Sequence, residues 1–520
     1  MRSTFMGLET AKRGMYTQQG ALYTTGHNIA NANTPGYTRQ RVNFAQTEPY
    51  PAPSMNRPQI PGQIGTGVEA GSIQRVRDSF LDTQYRGENN KLGYWDTKME
   101  AMKKMEEVMN EPSDSGLSKT MDMFWQSLQD LAVNPTNSGA RSVVRQRGIA
   151  VAETFNYLSS SLTSVRNDLK NELTVSETQI NSLTRQIDSI NKQISEVEPH
   201  GYLPNDLYDE RDRLIDELSK QVTIKTSYQS NGGGSSPMAE GSVTITLVGK
   251  DGKNPVDLVD KSGAKELNLS FNGDQDTVDS VTIGGETIAI NDFLSKGEGK
   301  LRALVDTYGF ENEKGEAEGS YVTMLQELDS MAFEFAKAFN EQHQQGVTAE
   351  QINNPTSTVE TPKFFQDSKD PSSDLDPDNK KGFAQRIQIA DELSNLDNIA
   401  TASADNPTLG DATNVLALAD IITTTKLPYG EKESSFQGHF ESVIGRMAVE
   451  SQESLRLASN SNVLRSAVDE RRMSVSGVSL DEEMTDMIKF QHAYNASARM
   501  ITLQDEMLDK IINGMGTVGR

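Results

Sequence analysis

The sequence predicts a multidomain α+β chain: a terminal-helix coiled coil, a long α-helical rod domain, and β-rich and mixed domains inserted into it. Three observations lead there. Apolar heptads stand at both ends, a long uninterrupted helical pattern occupies residues 148–197, and period-two strands follow it between glycine-rich turns. Helices at both ends bracket a helical layer that brackets the insertions, so the chain goes out and returns and its domains are discontinuous. The expected boundaries are 1–35 with 478–520 for the terminal coiled coil, and 36–222 with 311–345 and 432–477 for the rod, its 36–80 part extended or β. Residues 223–310 form the inserted β domain and 346–431 a loop-rich mixed insertion.

At the N-terminal end the heptad is Met1, Leu8, Met15, Leu22 and Ile29, with Phe5, Ala11 and Thr25 flanking it. At the other end Leu480, Met484, Met487, Gln491, Tyr494, Ala498, Ile501, Asp505, Leu508 and Ile512 advance in steps of four and three. Such steps keep side chains on one narrow stripe, the seam of a coiled coil. A helix cannot bury its own stripe, and an isolated one is marginal in water. Each end therefore needs the other end, another subunit, or both. Two ordinary amphipathic helices at the rim of a globular core remain the alternative.

The first helix is expected to stop at Asn31–Thr34, because Pro35 disfavours helical angles at Thr34 and Pro35-Gly36 reads as a turn. Residues 37–73 are polar and rich in proline (Pro49, Pro51, Pro53, Pro58, Pro61), which rules out a long helix. Helical pattern returns with Met99, Met102, Met105 and Met109 on one face, then Phe124, Leu128 and Leu131. Without cysteine or a nearby histidine this methionine row reads as core rather than as a soft-metal site. From Gly148 to Val197, Leu158, Leu162, Val165, Leu169 and Leu173 lead into Ile180, Leu183, Ile187, Ile190 and Ile194, a helix of roughly 70 Å at 1.5 Å per residue. A shorter helix covers Asp206–Gln221, with Leu207, Leu214 and Leu218 inward.

Then the period changes. Val222–Thr226, Val243–Leu247, Leu267–Phe271 and Val281–Ile283 alternate, separated by glycine turns at 232–234, Asp251-Gly252, Asn272-Gly273 and Gly284-Gly285. Helix resumes at Tyr321, a Pro- and Asp-rich loop spans 353–381, and helices run from Phe436 to Met473. The last helix has Ser479 and Glu482 as a capping box, Asp481, Glu482 and Glu483 in its first turn, and Lys510 and Gly514 near its end.

Composition bounds the chemistry. Fifty Lys and Arg against 74 Asp and Glu leave a net charge of −24 over 520 residues, which argues against nucleic acid or an anionic membrane as partner. Aromatics are 6% and mean hydropathy is −0.58, so large aromatic-lined pockets are not expected. No run of eighteen apolar residues suits a membrane span, and the N-terminal stretch lacks the parts of a secretory signal. Zero cysteines exclude disulfides, zinc–thiolate sites and cysteine catalysis. His27, His200, His343, His439 and His492 are scattered without metal-ligand spacing. Asp374, Asp376 and Asp378 imitate an EF-hand start, but Asn379 stands at the sixth position and Gln385 at the twelfth. Gly65, Gly67 and Gly71 are not a dinucleotide fingerprint, and neither a nucleophile elbow nor a Walker lysine occurs. No enzyme, cofactor or metal site is expected.

The stretch Asn28-Ile-Ala-Asn31-Ala-Asn-Thr34-Pro35-Gly36-Tyr37-Thr-Arg39-Gln40 resembles the N-terminal signature shared by flagellar rod, hook and hook-associated proteins. Gly65-Thr-Gly67-Val68 and Ile73-Gln-Arg75-Val-Arg-Asp78-Ser-Phe80-Leu81 look like that family's next segment, and Phe490-Gln491-His-Ala493-Tyr494 and Ala498-Arg499-Met500-Ile501 like its C-terminal region. Within the family, Gly477-Val-Ser-Leu480-Asp-Glu-Glu483 and the long helix followed by Asn205-Asp206-Leu207-Tyr-Asp209-Glu-Arg211-Asp212 are similar to the hook-associated branch at the hook–filament junction. The resemblance spans the first 80 and last 45 residues most closely and the insertions least.

It implies terminal helices paired as an antiparallel coiled coil lining an inner tube, with the insertions facing outward. It implies export through the flagellar type III apparatus without a cleaved signal, to an extracellular place on the flagellum. The implied partners are the chain itself in a ring of about eleven copies, the hook protein, the second junction protein or filament, and an export chaperone at the C-terminal region. Met1, Leu8, Met15, Leu22, Ile29, Leu480, Met484, Met487, Tyr494, Ala498, Ile501 and Leu508 are the expected subunit or chaperone interface, and Asn28, Asn31, Thr34, Pro35, Gly36 and Tyr37 the family motif. The competing readings are a flagellin or hook-type subunit, and a secreted effector that uses coiled-coil ends only for export.

Overall fold

The computed structural model describes residues 5–52, 54–55, 62–109, 116–247, 255–273, 276–294, 297–354, 360–371, 374–405, 407–429 and 432–514. Met1, Pro53, Pro58, Pro61 and the Asp251-Gly252 turn lie outside them. Long helices dominate. α1 (Phe5–Ala30) ends just before the expected stop, and the Pro35-Gly36 turn follows with Gly36 at φ +83°. β1 (Gln40–Gln46) and β2 (Val68–Arg75) pair antiparallel with a bulge between Asn43 and Phe44.

After α2 (Ser79–Met109) and α3 (Leu117–Val133) comes α4 (Ser138–Val197), 60 residues and about 90 Å long. It starts earlier than its apolar pattern does. The Asn137 side chain accepts the Gly139 N–H at 2.8 Å and the Ala140 N–H at 3.3 Å, which satisfies two first-turn donors. α5 (Asn205–Gln221) runs close to its expected bounds.

The four expected strands all form, but in two sheets. β3 (Ile224–Gln229), β4 (Ser242–Leu247), β5 (Val256–Asp260) and β6 (Gly263–Ala264) make one in sequence order. β7 (Leu267–Asn272), β8 (Thr277–Ile283), β9 (Glu286–Ala289), β10 (Phe310–Glu311) and β11 (Ala317–Glu318) make the other, ordered β11-β10-β8-β7 with β9 also on β8. Between β9 and β10 lie α6 (Ile290–Leu294) and α7 (Lys300–Tyr308).

α8 (Ser320–Gln345) opens the return. The loop-rich stretch then contains α9 (Ala349–Asn353), α10 (Phe383–Arg386), α11 (Thr413–Thr423) and two-stranded ladders pairing 346–348 with 400–403 and 365–367 with 387–389. α12 (Phe436–Ser476) and α13 (Leu480–Gly514) close the chain.

The chain divides into two compact units: residues 1–90, 180–266 and 462–520, and residues 91–179 and 267–461. In the first, Ile180, Leu183, Ile187, Ile190 and Ile194 on α4 are buried, and Asn191 clamps α4 to β4 by donating to Val243 O (2.8 Å) and accepting its N–H (3.1 Å). In the second, Phe124, Phe335, Phe339, Phe364 and Phe365 form a buried cluster with ring centroids 4.8–6.3 Å apart. Asn340 ties that cluster to the loop-rich stretch. Its carbonyl accepts the N–H groups of Phe364 and Phe365, and its amide donates to Phe365 O. No helix of the described residues is long and apolar enough to cross a membrane, and among them no His/Asp/Glu group is suited to a metal.

Candidate functional site

In the first unit the two ends of the chain lie side by side. Gly7 faces Gln504, Gly14 faces Ser497, and Asn28 reaches Glu483, so α1 and α13 run antiparallel. The approach is close: a Cβ on Gly7 would stand 2.9 Å from Gln504 Nε2, and one on Gly14 3.1 Å from Ser497 Oγ. The residues that α1 buries are small or polar, namely Ala11, Thr17, Ala21, Thr24, Thr25 and Asn28. Small side chains let helix backbones approach. They also admit the hairpin, since Thr10 and Thr17 donate to Thr66 O (3.4 Å) and Val68 O (3.2 Å).

On α13 the shielded stripe is Glu483, Met487, Phe490, Tyr494, Ser497, Ile501, Gln504 and Leu508, again in steps of four and three. Of the positions expected to form the interface, Met487, Tyr494, Ala498, Ile501 and Leu508 are half-buried, as are Leu8, Met15, Leu22 and Ile29. Leu480 and Met484 are exposed at 50% and 57%. Met1 lies outside the described residues. The real stripe is thus rotated toward Phe490, Ser497 and Gln504, two of them polar, which an apolar pattern passes over. Phe490 has its own reason to turn inward: Phe44 of the hairpin meets it edge-on at 5.9 Å.

The motif residues build a latch at the end of this pair. Asn28, 1% exposed, uses its full amide capacity. Nδ2 donates to Gln40 O (2.8 Å) and Glu483 Oε2 (3.0 Å), while Oδ1 accepts from Tyr37 OH (2.8 Å) and Gln40 N (3.0 Å). Glu483, only 2% exposed, also accepts from Arg39 Nε at 2.6 Å. Arg39 continues to Glu482 (2.5 Å) and Asp486 (3.7 Å), and its own N–H donates to Ser476 O. Burial disfavours the Arg39 charge, but Glu483 and Glu482 outweigh it and raise the guanidinium's pKa. Burial, with Asp206, Asp209 and Glu483 nearby, pushes the Tyr37 hydroxyl up, so it stays a donor to Asn28.

The rest of the motif shapes the turn. Thr34 Oγ1 donates to Asn31 Oδ1 (3.1 Å), Asn31 donates to His27 O, and Gly36 lies against the Arg213 stem, where its positive φ favours glycine. Asp206, Asp209 and Glu210 border a 280 Å³ cleft beside Pro35 and Tyr37. Each is already engaged, by Gln40, by Thr38 and Arg75, and by Arg213. Arg39 and Glu483, the more buried pair of the latch, stand in the quoted sequence segments 444 residues apart, and only the fold that brings them into contact reveals their joint role. The expected capping role of Glu482 gives way to this pairing.

Behind the latch lies a buried charge network. Arg75 pairs with Asp209 (2.7 Å), Asp212 (2.9 Å) and Glu240; Arg77 with Asp82 (2.6 Å) and Asp212 (3.2 Å). Arg86 reaches Asp216 (2.7 Å) and Asp212 (3.1 Å), Arg472 reaches Asp82 and Asp216, and Arg211 reaches Glu240. Burial alone would raise the Asp212 pKa, but Arg77, Arg75 and Arg86 hold it far below the usual carboxylate range.

Outside the latch the pair leaves apolar surface in water. Phe5, Tyr16 and Tyr23 on α1 are exposed, Tyr23 at 71%, as are Leu480, Met484, Ile488, Met500, Leu503, Met507 and Ile511 on α13. This geometry holds the two terminal helices against each other and against the β1–β2 ladder.

Three family models match the chain: the flagellar hook-associated protein FlgK helical domain over 102–356, the flagellar basal body rod FlgEFG protein C-terminal over 470–514, and the flagella basal body rod protein over 8–38. The flagellar hook-associated protein 1 of Bacillus subtilis (strain 168) is 46% identical over 522 residues, covering 100% of both chains. That of Escherichia coli (strain K12) is 24% identical, covering 97% of this chain and 99% of its own. Among solved structures, the flagellar hook junction protein FlgK from Burkholderia pseudomallei matches at a TM-score of 0.59 and 14% identity, over 76% of this chain and 100% of that one.

Proposed function

The chain belongs to the flagellar hook-associated protein 1 family, and from that premise we propose that it is a structural subunit of the flagellum that joins hook to filament. The observation behind this reading is the apolar surface left on both faces of the α1–α13 pair, led by Tyr23, Met484 and Ile488. Exposed apolar side chains gathered on two adjacent helices suit docking, and here they belong to the two ends that the rod-protein family models match. Copies pack through them as a coiled-coil layer, about eleven in a closed ring. The hook protein lies on one side and the second junction protein or filament on the other.

The chain reaches that place unfolded, through the flagellar type III apparatus and without a cleaved signal. Freedom from cysteine suits such a route, since no disulfide can lock the chain. Beforehand an export chaperone covers the α13 face. Immunogold labelling of detached flagella tests the reading: label confined to the hook–filament boundary supports it, and label along the shaft would assign the chain to filament or hook. Removing residues 478–520 is expected to leave hooks without filaments.

A further inference from the structure

The second unit carries a cleft of about 510 Å³ whose charge runs against its surroundings. That unit holds 24 Lys and Arg against 45 Asp and Glu, a net charge of −21. Yet three cations, Arg166, Lys380 and Lys381, line this one cleft against a single carboxylate, Asp329. Cations brought together repel one another, so their convergence needs a built support.

The support is visible. Asp329, buried, accepts the N–H groups of Gly382 (2.6 Å) and Ala384 (2.9 Å), pinning the turn that bears both lysines to α8. Arg386 grips the same turn from its other side, donating to Asn379 O (2.8 Å) and Lys381 O (2.9 Å) while paired with Asp367. Gly382 takes φ +75°, a conformation that favours glycine. Arg166 is held through all three nitrogens: Nε donates to Tyr308 O at 3.0 Å, Nη2 donates to Asp276 O, and Nη1 stands 3.6 Å from the Asp276 carboxylate, so that only the second N–H of each terminal nitrogen is left for a ligand. Lys380 is oriented by Glu334 at 3.0 Å. These pairings fix the cations in place, and a preorganised wall loses little freedom on binding.

The remaining polar wall is neutral and two-faced. Ser159, Thr163, Gln326, Ser330 and Gln385 all both donate and accept hydrogen bonds. A bare inorganic anion needs donors only. Groups that do both match hydroxyls, and the volume falls in the range of a small-molecule site, enough for one or two sugar rings. We propose that this cleft binds an acidic saccharide, its carboxylate between Arg166 and the Lys380-Lys381 turn and its hydroxyls on the neutral wall.

Titration calorimetry of the full chain with glucuronate, glucose and sulfate tests this. Glucuronate is expected to bind saturably and to weaken several-fold between 50 and 500 mM salt, as an ion-paired ligand does. Glucose and sulfate should each bind about tenfold more weakly, each lacking one half of the recognition. Lys380→Glu with Lys381→Glu should abolish glucuronate binding. If that variant melts early, Lys381→Ala and Gln326→Ala, both at exposed positions, should each weaken binding several-fold. No glucuronate binding, equal binding of glucose or of sulfate, or an unchanged affinity in folded variants would overturn the proposal.

Discussion

The two units of the chain solve the same problem, joining segments far apart in sequence, with opposite chemistry. The first unit is nearly neutral, 26 basic against 29 acidic residues, and ties its segments together with buried arginine–carboxylate pairs and a seam of small residues. The second bears −21 and joins its segments around buried phenylalanines. The difference teaches where contact between copies is tolerated. Like charge repels over roughly a Debye length, about 8 Å at physiological ionic strength. The contact between copies proposed above is therefore opposed least at the neutral unit, the one whose terminal helices carry exposed apolar side chains. The ion pairs contribute geometry more than net stability, because desolvation offsets most of their attraction.

Removing one partner exposes the contrast most strongly. Asp212→Ala strips the shared acceptor from Arg75, Arg77 and Arg86, and leaving buried charge uncompensated costs about 3–5 kcal/mol. Phe339→Ala should cost a similar 3–5 kcal/mol in the second unit by leaving a cavity. Hydrogen exchange locates each loss: the first variant should expose amides of α5 and β2, the second those of α8. Protection lost equally throughout both units in either variant would mean that they unfold as one.

Acid should separate the units next. His343 in the second unit is fully buried, accepts the Ala400 N–H at Nε2 (3.0 Å), and donates from Nδ1 to Pro362 O (2.8 Å). Burial lowers its pKa from 6.5 to about 4. Between those values the unfolded chain holds a proton that the folded one lacks, so stability falls with pH, by about 3 kcal/mol over the window. His343→Gln keeps a donor and an acceptor and removes the titration. The wild-type stability minus that of this variant should therefore drop from pH 6.5 to 4 in urea titrations. Asp212 in the first unit has a depressed pKa, so its contribution is present above the unfolded value of about 3.9 and lost only below it. A flat difference for His343→Gln would show that the ring is hydrated.

How much of this was legible follows the same divide. The elements announced themselves where period or a Pro-Gly pair decides: the long helix, α5, four of the strands, and the Pro35-Gly36 turn. The start of α4 did not: its first turns rest on the Asn137 cap, on buried Val144, and on buried Arg141, which donates to Pro135 O and Ile399 O, contacts that the pattern from Gly148 onward does not announce. The terminal seam was visible as a heptad but turned from its true face. Pattern reading follows the large apolar side chains, whereas α1 buries Ala11, Ala21 and Thr25 against its neighbours and α13 turns in Ser497 and Gln504. The latch was visible only as a motif. Nothing in spacing links Asn28 and Arg39 to Glu483, since their contact is set by the fold and not by local geometry.

The latch itself should respond more mildly. Asn28→Ala removes two donors and two acceptors and leaves Glu483 with Arg39 as its remaining bonded partner, for about 1–3 kcal/mol. The loss should be local. Limited proteolysis should release the C-terminal helix in this variant while the second unit stays intact, and unchanged digestion would show that the helix seam alone holds the ends together.

The smallest effect on the free chain should come with a large effect on assembly. Met484 and Ile488 stand exposed on α13, so Met484→Ser and Ile488→Ser should shift the monomer's stability by no more than about 0.5 kcal/mol. Met487 and Ile501, half-buried beside α1, should cost about 1–2 kcal/mol as alanine, less than the 2–5 of a full core position. If the open faces are where copies meet, the order reverses in cells. The serine variants should fail to support filaments on hooks, counted by electron microscopy, although their purified monomers melt like wild type. Alanine at 487 and 501 should impair assembly no more than its loss of stability explains. Serine variants that assemble normally would mean that the exposed stripe meets nothing, and that contact between copies uses another part of the neutral unit.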